Sequence, residues 1–254
     1  MGDLQVSKEG YVAVFRVNRP PHNFFDHAMI SELVEAGAQA DADPDTRAIV
    51  LCSEGKNFCA GANFGDSGGG FGPERAETSR KLYTHAAELF RIQTPIVAAV
   101  QGAAVGGGLG LAAMADFRVA SPASRLHANF ARLGFHQGFG LSVTLPRLIG
   151  EQKASEMLLL ARAVKGEEAL AIGLVDRLAD DPYAGALELA GQIAANAPIA
   201  VRSIRETLRG SLADDVKAVL DRELTEQTAH WATEDCAEGI KANLERREAA
   251  FHNR

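Results

Sequence analysis

The stretch from Thr94 to Leu111 constrains the fold of this chain more than any other. Ile96 to Val100 is apolar at every position, so a strand there has no polar face and must be buried on both sides. Gly102 offers a turn, and Gly106-Gly107-Gly108 leads into an apolar helical run from Leu109 to Ala115 that stops before Asp116. A helix start leaves backbone N–H groups without partners and carries partial positive charge. Glycine lets another atom approach that backbone closely. A strand–triple glycine–helix unit therefore predicts either tight helix–sheet packing or a site for an anion, which can be a phosphate or an oxyanion that forms during a reaction. No Gly-Lys-Ser/Thr follows, and the glycine spacing is not G-x-G-x-x-G, so neither the phosphate loop nor the dinucleotide fingerprint is present.

The flanking pattern predicts a mixed α/β core. Leu4–Ser7 and Tyr11–Val17 read as a hairpin turning at Glu9-Gly10, and Asp26 caps a helix with Met29, Ile30, Leu33 and Val34 on one face. Arg47–Cys52 is a short buried strand. Pro73-Glu74 opens a long helix to about Ile92 after a glycine-rich run. Beyond the triple glycine come strands at Phe117–Ala120 and near Leu126, an irregular segment Phe130–Gly140, and helices over Glu151–Arg162 and Gly166–Gly173. From Tyr183 on the pattern is helical throughout: 184–196, 199–212, 214–232 and 234–250. The shift places a core over residues 1–197 and a helical oligomerisation region over 198–254. Such a tail either folds onto its own core or covers a neighbouring subunit; its alanine-rich faces favour the neighbour.

Charge and cysteine usage narrow the function. A formal net charge of −7 over 254 residues argues against nucleic acid as partner. Cys52, Cys59 and Cys236 are an odd number without metal-ligand spacing, which reads as reduced intracellular thiols. No signal peptide precedes Tyr11 and no apolar run reaches spanning length, so a cytoplasmic protein with no membrane partner and no metal is expected.

A second glycine-bearing loop, Gly55 to Phe64, follows the strand ending at Cys52, as the triple glycine follows Ile96–Val100. Two loops leaving equivalent ends of neighbouring strands can aim N–H groups at one point. Two convergent donors form an oxyanion hole.

With that pair in place, the sequence resembles the crotonase superfamily, also called the enoyl-CoA hydratase/isomerase family. The resemblance runs through Asn18-Arg19-Pro20, Phe58-Cys59-Ala60-Gly61-Ala62-Asn63, Thr94 to Gly102 with Gly106-Gly107-Gly108, Asp116, and Pro146 to Gly150. It continues through Ala169 to Asp176 and Glu238-Gly239-Ile240-Lys241-Ala242. Their order and spacing together are specific, and they cover nearly the whole chain. The resemblance implies a spiral of ββα units with a C-terminal helical trimerisation region, assembled as a homo-trimer or a hexamer of two trimers. It implies an acyl-coenzyme A thioester as ligand, with coenzyme A as part of the substrate and no separate cofactor. The two oxyanion donors match the backbone N–H groups of Ala62 and Gly107. Asn63 and Phe64 would line the substrate channel, the backbone at Cys59 and Ala60 would meet the coenzyme A moiety, and Lys241 would reach its phosphates.

The chain departs from the hydratase pattern where family hydratases carry two glutamates that position and activate water. The matching positions are Gly110, three residues past the middle glycine, and Phe130, counted back from Leu148-Ile149-Gly150. Neither transfers a proton. The loop Phe135 to Gly140 aligns with a segment that bears catalytic aspartates in other members. There His136 is the candidate acid or base, and Gln137 the candidate to orient a carbonyl or water. His85 and His127 read as structural, and Cys59 as a buried filler. The chain is expected to be an acyl-CoA enzyme performing isomerase, decarboxylase or C–C hydrolase chemistry through a thioester enolate. The alternative is an acyl-CoA-binding pseudoenzyme or assembly subunit.

Overall fold

The computed structural model describes residues 2–63 and 73–254, with backbone alone for 73–75. The apolar run at Ile96–Val100 is a central strand, as its sequence requires. Among the described residues a six-stranded sheet takes the spatial order β1 (Leu4–Glu9), β2 (Val12–Val17), β3 (Ala48–Ser53), β4 (Ile96–Val100), β6 (Phe117–Ala120) and β9 (Arg177–Leu178). Only the β1–β2 pair is antiparallel. Parallel strands buried on both faces need cover on both faces. Val50, Val97, Ala99 and Val119 point to α6 (Pro182–Ala194), while Ile49, Leu51, Ile96 and Ala98 point to the main core. Successive residues of β4 thus alternate between two separate apolar clusters, the period-two consequence of strand geometry.

A second, three-stranded sheet joins β5 (Ala103–Val105), β7 (Arg125–His127) and β8 (Ala163–Lys165). A Cys59–Ala104 bridge extends it toward the loop after β3. Each turn of the chain therefore lays one strand in the large sheet, crosses to the small one, and returns by a helix. The helices are α1 (His27–Ala42), α2 (Pro73–Leu89), α3 (Gly107–Ala113), α4 (Leu141–Leu159) and α5 (Gly166–Ala171). This repetition places the exits of β3 and β4, with their glycine loops, side by side.

Two local expectations are corrected. Helix α4 begins ten residues before Glu151 and is broken at Gly150, whose φ is 76°. Pro146 concealed its first half, since proline ordinarily argues against a helix interior. Its start is held instead by a buried carboxylate. Glu223 accepts from the Gly140 N–H at 2.8 Å and from the Ser142 N–H and hydroxyl at 3.0 and 2.6 Å. Burial raises the Glu223 pKa, against which those donors act. Second, the last helix, α9 (Glu234–Glu245), stops five residues before Ala250. Glu238 takes both Arg247 and the Ala250 N–H, folding the end of the chain back. The last two tail helices contact the chain's own core. Helix α8 (Leu212–Trp231) packs on α2 and α4, and α9 packs on the short turn Ala131–Leu133.

Helix α7 (Pro198–Arg209) is built inside out. Its arginines face the core: Arg205 and Arg209 each reach Asp116 at 2.8 Å, and Arg202 donates to the Asp41 carbonyl. Ile199, Ile204 and Leu208 stand 85%, 59% and 73% exposed. Among the described residues, no helix is long and apolar enough to cross a membrane.

Candidate active site

The two glycine loops meet. The Phe25 N–H donates to the Gly61 carbonyl at 3.0 Å in a parallel bridge between Phe25 and Ala62. In a trans peptide the C=O and N–H point opposite ways, so the Ala62 N–H points away from Phe25. On the other loop the Gly106 carbonyl accepts from the N–H groups of Leu109 and Gly110, down the axis of α3. The same rule turns the Gly107 N–H outward from the helix start. Neither N–H donates to a backbone carbonyl among the described residues. A β-carbon at position 61 would sit 2.8 Å from the Val105 carbonyl oxygen and 3.7 Å from the Gly107 nitrogen. The loops therefore approach as closely as backbones can, and only glycine fits at 61, where φ is 86°.

Ala60, Gly61, Ala62 and Asn63 line one side of a cavity of about 570 Å³, with Gly106 and Gly107 beside them. Phe25, Phe130, Phe135, Phe139 and Trp231 are among the residues of its remaining wall. The Phe25–Phe139 centroids lie 5.4 Å apart, and Phe130 meets Phe135 edge-on at 5.8 Å. Phe139 fills the space beside position 110. A β-carbon on Gly110 would lie 2.6 Å from the Phe139 β-carbon, so the phenylalanine holds the space that a longer side chain on α3 would need. Phe139 itself is 1% exposed, with φ at 61°.

The titratable groups that line the cavity are few among the described residues. His22 lies tilted against Phe24, ring centroids 5.1 Å apart. His127 is committed elsewhere, with Nε2 2.7 Å from the Ala161 carbonyl, to which it donates, and Nδ1 facing Arg125. Burial lowers its pKa. Tyr83 donates to Gln227 Oε1 at 2.8 Å. No carboxylate lines the cavity among the described residues.

The residues singled out from sequence divide accordingly. Ala60, Ala62, Asn63, Gly107 and Phe130 all line the cavity. Cys59 is 1% exposed, its N–H and C=O bond Ala103 and Val105, and burial pushes its thiol up to about 12. His136 and Gln137 are not among the lining residues. His136 Nδ1 lies 2.8 Å from the Gln137 carbonyl, its N–H donates to His230, and Gln137 Nε2 donates to Ser142. Lys241 is exposed on α9 and away from the lining, and Phe64 lies outside the described residues. Sequence reading missed Phe25, Tyr83, Phe139, Gln227 and Trp231. Tyr83 and Gln227 face each other across 144 residues, a pairing that no local pattern signals. A separate cleft of about 460 Å³ beside α7 shares no lining residue with this cavity.

The spiral of strands, with two backbone donors at the edge of an apolar cavity, defines a crotonase-type protein, and the comparisons agree. The profile of the enoyl-CoA hydratase/isomerase family matches residues 7–254. A protein of Mycobacterium tuberculosis named probable enoyl-CoA hydratase EchA14 is 38% identical over 207 residues, covering 81% of each chain. The short-chain-enoyl-CoA hydratase of Clostridium acetobutylicum is 31% identical over 266 residues, covering 100% of this chain and 99% of its own. The crystal structure of an enoyl-CoA hydratase/isomerase from Pseudoalteromonas atlantica superposes with a TM-score of 0.86 at 28% identity, covering 99% of this chain and 100% of the other. The chain belongs to the enoyl-CoA hydratase/isomerase family.

Proposed function

We propose that the protein binds an acyl-CoA thioester with its carbonyl oxygen accepting from the N–H groups of both Ala62 and Gly107, and that it turns the thioester over through an enolate. The observation that carries this reading is the juxtaposition of two outward-facing backbone donors, one at a helix start, beside an apolar cavity. Fixed dipoles stabilise charge where it develops and need no reorganisation, and loss of one such donor costs roughly 10²–10³-fold in kcat. A binding module has no use for two donors on one carbonyl, which disfavours the pseudoenzyme reading. Gly110 and Phe130 stand where the paired carboxylates of water addition are expected, so the chemistry is isomerisation, decarboxylation or C–C cleavage.

The names of the relatives favour a second reading, hydration of an enoyl-CoA by another route. One experiment addresses both. A panel of acyl-CoA thioesters, crotonyl-CoA among them, is followed by mass spectrometry with the wild type and with Ala62→Pro. Proline removes the donor without breaking a ladder bond. Expected are turnover of at least one thioester, a roughly 10²-fold loss in the variant with affinity kept within a few-fold, and crotonyl-CoA hydration slower than with a carboxylate pair by about 10²-fold or more. Rapid hydration of crotonyl-CoA would establish the second reading. An unchanged Ala62→Pro enzyme would remove the oxyanion role.

A further inference from the structure

Outside the cavity, two histidines from different helices bring ring nitrogens together. His27 opens α1 and His85 lies on α2, and His27 Nε2 stands 3.1 Å from His85 Nδ1. At most one proton fits between two such nitrogens, so one donates and the other offers its lone pair. The contact is not a straight one. A linear N–H···N bond of that length would set the ring centroids about 5.4 Å apart. They lie 4.5 Å apart, with the ring planes at 83°. The two nitrogens therefore meet obliquely, which is poor geometry for a hydrogen bond and is how two ligands approach one ion. The Lys81 carbonyl oxygen lies 3.1 Å from the same Nδ1 and adds a neutral oxygen donor to the pair. Both rings are half-buried, so water reaches them.

We propose that His27 and His85 form a site for a late first-row divalent ion such as zinc or copper, which clips α1 to α2. Neutral imidazole suits these ions, whereas magnesium and calcium prefer oxygen ligands. At a metal–nitrogen distance of about 2.0–2.1 Å, two tetrahedral ligands stand about 3.3–3.4 Å apart, and two cis ligands of a tetragonal ion about 2.8–3.0 Å. The observed 3.1 Å falls between the two, so small ring rotations reach either. No third His, Cys, Asp or Glu joins the pair among the described residues, which leaves the other positions to water and the Lys81 carbonyl. The nearby charges are paired among themselves: Lys81 with Glu77, Arg91 with Glu88, and Arg19 with Asp26. The two ligands are 58 residues apart, so no sequence spacing announces them. Helix α2 also carries Ser79, Leu82 and Tyr83 in the cavity wall, so an ion held here ties that wall to α1. The proposal is independent of which ligand the cavity takes.

The test is zinc binding by calorimetry to metal-stripped protein, as wild type, His27→Ala, His85→Ala and His230→Ala. The last is a control, because His230 and His136 form a second histidine pair, with ring centroids 6.4 Å apart. Wild type and His230→Ala should bind one zinc ion per chain, and their thermal midpoints should rise as zinc is added. Loss of an outer-shell partner costs a metal site about 10–100-fold in affinity, so His27→Ala and His85→Ala should each lose at least about tenfold. Their midpoints should no longer respond to zinc. Each ring also packs between the two helices, so the wild type loaded with copper gives a reading free of substitution. Its electron paramagnetic resonance spectrum should show two imidazole nitrogens on one copper ion. Absence of zinc binding in the wild type, unchanged affinity in His27→Ala and His85→Ala, loss in His230→Ala alone, or a copper spectrum with a single nitrogen would each overturn the inference.

Discussion

At the residue scale, the proposed site rests on backbone groups rather than on reactive side chains. Cys59 illustrates the division. Its thiol, pushed up to about 12 by burial, stays protonated at neutral pH and offers no nucleophile. His127 lines the cavity, and burial favours its neutral form by lowering its pKa below the usual 6.5, although the hydrogen bond from Nε2 to the Ala161 carbonyl acts in the opposite direction. A histidine with a depressed folded pKa stabilises the fold at pH above its unfolded value, and that contribution is lost as pH falls below about 6.5. Denaturation midpoints should therefore drop between pH 7 and pH 5. His127→Gln, which can still donate to the Ala161 carbonyl, should flatten that slope. An equal slope in the variant would assign the acid sensitivity to other groups.

At the element scale, the glycine loops and the buried β4 strand were legible in sequence because their constraints are local. An all-apolar pentapeptide between Pro95 and Gly102 reads as a buried strand, and three glycines before an apolar helix mark a crowded helix start. The aromatic wall was illegible because its members come from α1's entry, α2, the Phe135–Gly140 loop and α8, which only the tertiary fold assembles. His136 and Gln137 show the same limit in reverse. Their loop borders the cavity through Phe135 and Phe139, while Nδ1 of His136 and the amide of Gln137 bond within the loop and α4. Helix α3 and this loop also form one packed unit at Gly110. Gly110→Glu alone should destabilise the protein by about 1–3 kcal/mol through overpacking against Phe139. Gly110→Glu with Phe139→Ala should recover part of that loss, since the second change removes the ring. Chemical denaturation of the two variants measures it. Equal stability of both would mean that Phe139 does not hold the space beside α3.

At the scale of the whole molecule, α7 carries information that the tail pattern alone did not. The tail of this chain covers its own cavity through Trp231 and Gln227, yet α7 turns its arginines inward and leaves Ile199, Ile204 and Leu208 exposed. An apolar stripe on a helix anchored by its charged face is suited to contact with another copy of the chain. We expect a trimer or hexamer in sedimentation at micromolar concentration. Ile204→Glu with Leu208→Glu should shift it to a smaller species with an unchanged circular dichroism spectrum. A monomeric wild type would refute this expectation.

The central claim, one carbonyl oxygen held by two backbone donors from two strand exits, is tested most directly by a crystal structure of the protein with a bound saturated acyl-CoA. The account predicts the thioester oxygen at about 2.7–3.1 Å from both the Ala62 and the Gly107 nitrogens. A thioester bound with its oxygen turned toward Tyr83 or Phe139, or two N–H groups that diverge around it, would contradict the account and reduce the triple glycine to a packing device.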